Sequence, residues 1–259
     1  MTGNANHFRD LLKPVSRARY VVWRLLGAKS PITLQLRSGL SIRIRSGSTT
    51  DYGVAFDVFW RGCYQSPEPV SKVRNIVDLG ANVGYSCLFW CQEYPEARVT
   101  AFEPHPRHLS AIAGHLSANH YADRVKVVEA AAGVASASAY LTDAGSSSAL
   151  TGNTAGFAVP VVDVFETLDG TIDILKIDIE GGEYGLLGDE RFGSVRARTV
   201  VVEWHKTPDR ADGREWCEDK LRKFGYRTKR GVEDLPLAGL IWGFKADQVS
   251  PMEQTQSEA

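Results

Sequence analysis

The sequence predicts an α/β fold, a mostly parallel sheet with helices on both faces, and three observations carry that prediction. From Val73 to Phe244, short runs of β-formers alternate with helix-length segments, the pattern of parallel strands joined by crossover helices. One stretch, Ile76 to Ser86 (IVDLGANVGYS), holds a strand, a glycine-bearing turn and a helix start. Acids and one histidine gather where strands are expected to end: Asp78, Glu103, Asp178, Glu203 and His205. In a parallel sheet, ligands sit beyond those carboxyl ends.

Length and charge set the frame. The chain has 259 residues, enough for one large domain or one domain with an extension. Its net charge of −1 gives no bulk argument for nucleic acid. The charge is uneven, however. Up to Arg45 there are nine Lys/Arg against a single acid, Asp10. Such a stretch either touches an anionic surface or is a solvated helix face, the commoner case. No apolar run is long enough for a membrane span, and no leader pattern opens the chain, so a cytoplasmic protein is expected. Cys63, Cys87, Cys91 and Cys217 form no CxxC pair. Cys87 and Cys91 lie one helical turn apart, the spacing of buried free thiols.

The elements follow in order. Residues 1–7 read as disordered. Phe8 to Leu26 places Phe8, Leu11, Leu12, Val15, Val22, Leu25 and Leu26 at helical spacing among basic residues, interrupted by Pro14. ITLQLR and LSIRIR alternate apolar and polar residues across Ser38-Gly39, a β-hairpin by period and turn. Ser48 to Asp51 offers N-caps for a helix over Tyr52 to Trp60. Strands are expected at Val77–Leu79, Arg98–Phe102, Val125–Glu129, Ile172–Ile177, Thr199–Val202 and Gly239–Phe244. Helices are expected at Tyr85–Gln92, Pro106–Leu116 and Gly213–Phe224. Ala137–Leu141 and Val159–Val162 read as extra strands around a Gly/Ser-rich loop, Gly145 to Gly156. Beyond Asp247 the tail is polar and reads as disordered.

The glycine turn after the first sheet strand is a ligand loop by type, because it exposes bare backbone at a helix start. A dinucleotide fingerprint would need glycines where Asn82 and Tyr85 stand. The run from Asp78 through Gly80 to Gly84 is instead similar to the acidic-x-G-x-x-x-G loop of class I methyltransferases, which use S-adenosylmethionine. Asp78 is then expected near the amino acid end of that cofactor. Glu103, nineteen residues beyond Gly84, is placed to accept hydrogen bonds from both ribose hydroxyls, with Pro104 fixing its backbone. Ala130 to Gly133, Ala131 included, offers flat space for an adenine ring. Asp178 and Glu180 are two apart, so on a strand they share a face. They are candidates for holding a metal, substrate hydroxyls or the cofactor, while helix capping is the plain alternative for Glu180 and Glu183. Two acids alone are a thin magnesium site. Glu203 and His205 likewise share a face, and His205 beside a cofactor cleft is a candidate general base.

With these residues in view, the chain resembles the FkbM family of methyltransferases. The motifs are STTDYGVAFDVFWRGCY (48–64), VDLGANVGYS (77–86), FEP (102–104), LKIDIEGGEYGLL (175–187) and VEWH (202–205), in the family's order. The resemblance implies a Rossmann-like class I methyltransferase fold with a seven-stranded sheet ending in a reversed hairpin. It also implies S-adenosylmethionine as donor, and O-methylation of a hydroxyl on a sugar or secondary metabolite. Residues 1–70 would be an extension covering the site, 71–246 the cofactor-binding domain and 247–259 a tail. Asp78, Gly80, Asn82, Gly84, Glu103, Pro104, Ala131 and Asp178 fall at cofactor positions. Asp51, Tyr64, Glu203 and His205 fall near substrate, and His205, Asp178 and Glu180 near the transfer point. Gly182 departs from the family pattern, a change expected only to loosen a helix start.

An alcohol acceptor must lose its proton, so the reading assigns His205 as the first candidate base and Asp178 with a divalent metal such as magnesium as the second. No residue is assigned as a metal ligand, and an obligatory metal is not favoured. The expected partner is a small hydroxylated molecule, with no nucleic acid and no membrane span, in a chain that can form a homo-oligomer. Methylation of nitrogen or carboxylate is the alternative within enzymes. An NAD(P) oxidoreductase and a non-catalytic protein that keeps the fold are the other classes.

Overall fold

The computed structural model describes residues 8–45, 49–141, 150–151, 156–208, 210–235 and 237–245. The expected terminal tails and most of the Gly/Ser-rich loop lie outside them. The chain opens with α1 (Pro14–Leu25), a hairpin of β1 (Ile32–Gln35) and β2 (Ser41–Ile44), and α2 (Thr49–Phe59). Then come β3 (Asn75–Leu79), α3 (Tyr85–Glu93), β4 (Arg98–Phe102), α4 (Pro106–Ala118) and β5 (Val125–Val128). Four short strands follow: β6 (Ala131–Gly133), β7 (Ala137–Leu141), β8 (Leu150–Thr151) and β9 (Phe157–Asp163). The chain returns through β10 (Ile172–Ile177), α5 (Glu183–Gly188), β11 (Ala197–His205), α6 (Gly213–Lys223), β12 (Arg227–Leu235) and β13 (Ala238–Phe244).

Seven strands form the main sheet in the order β12-β13-β11-β10-β3-β4-β5. All neighbours from β11 to β5 are parallel, and β13 runs antiparallel to both β11 and β12. This is the mostly parallel sheet with a reversed final hairpin that the alternation and the family resemblance predict. The strand order reverses between β3 and β10, so the ends of these two strands open a crevice. Every residue of β10 is buried. Its odd and even positions feed different cores: Ile174 joins Ile76 and Val201 on one face, while Leu175 and Ile177 join Val77, Leu79 and Val202 on the other.

The first core takes in the N-terminal elements. Phe8, Leu12, Leu34 and Ile42 are fully buried in the same cluster as Leu88 and Trp90 of α3. Asn119 and His115, both at the C-terminal half of α4, bond the backbone of β2 at Ser41 and Arg43. The hairpin is therefore wedged against α4 by backbone groups that would otherwise lack partners.

Several local expectations give way to tertiary context. Pro14 does not interrupt a long helix; it starts one, at a first-turn position where its missing N–H is harmless. Of that helix, Ser16 and Tyr20 are buried, while Val15, Val22, Leu25 and Leu26 face outward. The second helix begins at Thr49, and Asp51 sits within its first turn rather than capping it. Ala130 to Gly133 is not the end of β5 but leads into β6, which pairs with β9 in a separate four-stranded sheet. Trp204 and Trp242 are core residues, whereas Trp60 is 38% exposed.

One side chain locks the start of the central strands. Asp173 of β10 accepts from the backbone N–H groups of Arg74 and Asn75 and from the Arg198 guanidinium at 3.0 Å. Asp173→Ala leaves two part-buried backbone donors without their acceptor and is expected to lower stability by about 1–2 kcal/mol, read from urea unfolding at constant m-value.

Candidate active site

The site is built at the ends of β3, β10 and β11. The backbone turns sharply after β3: Gly80 has φ +86° and Asn82 φ +51°. A Cβ on Gly80 would stand 1.8 Å from the Asp178 carbonyl oxygen, so only glycine lets the β3 loop lie against the end of β10. Gly84, with φ +87°, caps α3 and faces Ile112 of α4, where a Cβ would come within 3.1 Å. It lines neither of the cavities described below; its smallness brings two helices together.

Lys176 holds this junction. It is 1% exposed on a strand whose other charged residue, Asp173, lies at the opposite end. Its ammonium lies 2.9 Å from Asp78 and 3.3 Å from Asp178, and donates to the Gly80 carbonyl at 2.8 Å. Burial alone would lower the lysine pKa, but the two carboxylates outweigh it and hold it raised. Asp178 suffers the opposite push from burial, and Lys176 with His205 wins, so its pKa is lowered. Asp78 is fully buried in this ion pair. It does not face open space at the strand tip, because the lysine draws its carboxylate inward.

Two cavities meet here. A smaller one of about 380 Å³ runs over Phe102, Glu103, Pro104 and His108 to Ala131, Ala132 and Leu141. A larger one of about 640 Å³ runs between α2 and the reversed hairpin, past Asp57, Arg61, Tyr64, Glu203 and His205. Gly80, Asn82, Asp178 and Glu180 line both. Glu103 is 5% exposed and already engaged. One oxygen accepts from Asn82 N–H at 2.8 Å; the other accepts from His105 N–H at 2.8 Å and lies 3.2 Å from His108 Nδ1. The carboxylate thus braces the glycine loop while lining the smaller cavity, and Oε2, with one partner, keeps lone-pair capacity.

In the larger cavity, Tyr64 donates to Asp178 Oδ2 at 3.1 Å. Glu203 and His205 stand two apart on β11, whose Val202 pairs with Ile177 of β10, so they lie beside Asp178. One ligand atom from each of Asp178, Glu203 and His205 falls within 4.8 Å of the others; among the described residues this is the group able to hold a metal ion. His205 Nδ1 lies 3.2 Å from Glu183, a carboxylate with no exposure, which also accepts the His205 backbone N–H at 3.0 Å. That leaves Nε2 toward Glu180 at 3.5 Å and Glu203 at 3.8 Å.

The charges shift one another. Burial would lower the His205 pKa, yet the Glu183 hydrogen bond and the charges of Asp178 and Glu203 lift it to about 10. Burial, reinforced by Asp178, raises the Glu203 carboxyl. Burial likewise pushes Glu180 up to about 7. Glu180 does not share a strand face with Asp178, because β10 ends at Ile177. A turn with Glu180 at φ +52° and Gly181 at φ +100° swings it over both cavities. Gly182 has ordinary helical backbone, and a Cβ there would press on the tip of the Ile179 side chain at 2.9 Å.

Asp51 stands apart from this group. It is 2% exposed, lines neither cavity, and binds the Arg45 guanidinium at 2.6 Å and the Arg45 N–H at 2.9 Å, pinning α2 to the end of the hairpin. Lys176, Glu183 and His108 are site residues that motif spacing does not single out. For Lys176 a signal existed, a lysine within ILKI, which a buried strand tolerates only when paired. For His108 there was none.

Comparison with known proteins gives a consistent picture. Residues 78–228 match the model described as the methyltransferase FkbM domain. Methyltransferase sdnD of Sordaria araneosa is 33% identical over 73 residues, 28% of each chain. The crystal structure of methyltransferase FkbM from Methylobacillus flagellatus superposes with a TM-score of 0.52 at 16% identity, over 73% of this chain and 47% of that one. The N-terminal domain of human METTL16, solved with SAH, gives 0.47 at 14% identity over 90% and 82%. The chain thus spans under half the length of the first two relatives, and the structural likeness bears on fold alone.

The Lys176 triad is expected to dominate stability. Lys176→Met leaves the fully buried Asp78 without its cation, beside the partly exposed Asp178, and lowers unfolding free energy by about 2–4 kcal/mol. Adding Asp78→Asn recovers part of that loss in the same denaturant titration.

Proposed function

The chain belongs to the FkbM family of methyltransferases, and on that premise we propose that it methylates a hydroxyl oxygen of a small molecule, a sugar or a glycosylated or polyketide-like product, with S-adenosylmethionine as donor. The observation that carries this reading is the meeting of two cavities at Gly80, Asn82, Asp178 and Glu180. A donor in one and an acceptor in the other would face each other across those four residues.

The smaller cavity suits an adenosine group. It has a carboxylate at Glu103 for ribose hydroxyls, small flat walls at Ala131 and Ala132, and apolar sides at Phe102 and Leu141. When bound, S-adenosylmethionine supplies a methyl group on positively charged sulfur. The work left to the chain is alignment and removal of one proton. Asp78 and Lys176 act at a distance, by fixing Gly80 and Asp178. Tyr64 and Asp178 orient the acceptor. Glu180 takes the hydroxyl proton as the oxygen–carbon bond forms, since its pKa near 7 places it where a base works best. His205, held protonated by its carboxylate neighbours, serves as the cation that keeps Glu180 and Glu203 in place. The base role first expected of His205 passes to Glu180 for that reason.

The same cavity disfavours a carboxylate acceptor, which would meet Asp178, Glu180 and Glu203. Those acids would attract an amine, so nitrogen methylation is the second reading. A divalent cation fits the Asp178, Glu203 and His205 group, with Glu183 orienting the imidazole; it would lower the pKa of an acceptor hydroxyl. Turnover that survives chelation keeps the proton on Glu180, whereas complete loss restored by a divalent cation moves the role to that group.

Calorimetry with S-adenosylmethionine and its demethylated product is expected to show binding, weakened about 10- to 100-fold in Glu103→Ala. Absence of binding by either compound to the unmodified chain would sink the donor assignment. In turnover assays, the rate is expected to climb as Glu180 loses its proton toward pH 7 and to level off above it. Glu180→Gln should lower the rate about 10²- to 10⁴-fold and remove that acidic limb.

A further inference from the structure

Helix α1 turns its apolar stripe away from the protein. On its inner side, Ser16 Oγ accepts the Gln35 N–H at 2.8 Å, and the Tyr20 ring packs against Phe8 and Tyr52 at 5.7 and 6.2 Å between centroids. These contacts fix the helix's rotation. Val15, Val22, Leu25 and Leu26 are then left 74%, 54%, 81% and 73% exposed. At 3.6 residues per turn the four project within about 100° of one another. Scattered exposed leucines need no explanation, but four on one rigidly held face do.

Charge identifies the occupant. The helix contains no acid. Arg19 borders the stripe, while Lys13 and Lys29 are exposed at the two ends of the helix and Arg24 is exposed over the Tyr52 ring. The whole segment to Arg45 has nine Lys/Arg against one acid, while the rest of the chain has twenty-one against thirty. A second copy of this helix would bring like charges together. A lipid surface with anionic headgroups satisfies both features: the branched side chains enter the acyl boundary, and the long basic chains reach the headgroups. The acidic remainder would be repelled, which orients the molecule. We propose that α1 is a peripheral docking element that seats this chain on an anionic membrane surface through Val15, Val22, Leu25 and Leu26, with Arg19 beside them and Lys13 and Lys29 at the helix ends. This rests on the N-terminal geometry alone and does not depend on the acceptor assigned above.

The test is co-sedimentation of the full chain with vesicles of phosphatidylcholine, with and without 30% phosphatidylglycerol, at about 0.1 M salt. The expected result is at least tenfold stronger partitioning into the anionic vesicles, falling as salt rises. Leu25→Ser with Leu26→Ser, and separately Lys13→Glu with Arg19→Glu, are each expected to lower it at least tenfold. These side chains are exposed, so circular dichroism should show both variants folded. Equal or no partitioning into the two vesicle types overturns the proposal. So does a concentration-dependent dimer, measured by light scattering, that Leu25→Ser with Leu26→Ser dissolves, since the stripe would then be a self-interface.

Discussion

The Lys176 ammonium is the constraint on which the site depends. It sits on a strand buried along its whole length, between the carboxylates of Asp78 and Asp178. The lysine could not be buried there without the two carboxylates. Because it also bonds the Gly80 carbonyl, the loop after β3 and the turn after β10 are set relative to each other by one cation. The close approach of Gly80 to the Asp178 carbonyl follows from the same arrangement, and that approach brings the two cavities into contact.

Around this fixed point lies a surplus of negative charge. Glu180, Glu183, Glu203 and Asp178 surround His205. Glu183 is the anchor, since it is fully buried and holds both the ring and the backbone of the histidine. Burial, together with the charge of Asp178, raises Glu180 and Glu203, and the same carboxylates hold a proton on the imidazole. Such a cluster answers readily to any added positive charge, whether a sulfonium, an ammonium or a divalent ion. This is why the proposed chemistry and its alternatives all centre on the same few side chains.

The N-terminal elements serve two faces at once. Inward, the hairpin completes the core beneath α3 and α4, and the Arg45–Asp51 pair fixes α2, whose Asp57, with Arg61 just beyond the helix, walls the larger cavity. Outward, α1 presents apolar and basic residues together. The segment's inward apolar residues share one core with Ile76, Leu88 and Val201 of the main sheet and its helices.

Much of this was legible in the chain as written. Alternating strand and helix patterns and the glycine loop determine the parallel sheet, because periodicity and backbone freedom are local properties. The order of five motifs determines the family. Glu203 and His205 were visible as a pair, since two positions on a strand share a face. What the sequence could not carry was orientation between distant segments. Asp78 and Asp51 read as site acids by position, yet each faces inward because a cation 98 residues away, Lys176, or one six residues before, Arg45, claims it. Glu180 was placed by a left-handed turn rather than a strand face. The helix stripe was visible too, but which way it points was decided by Ser16 meeting the hairpin and Tyr20 meeting Phe8 and Tyr52. Local pattern sets the elements; the pairing of buried charges and the packing of one element on another decide which side chains reach the site.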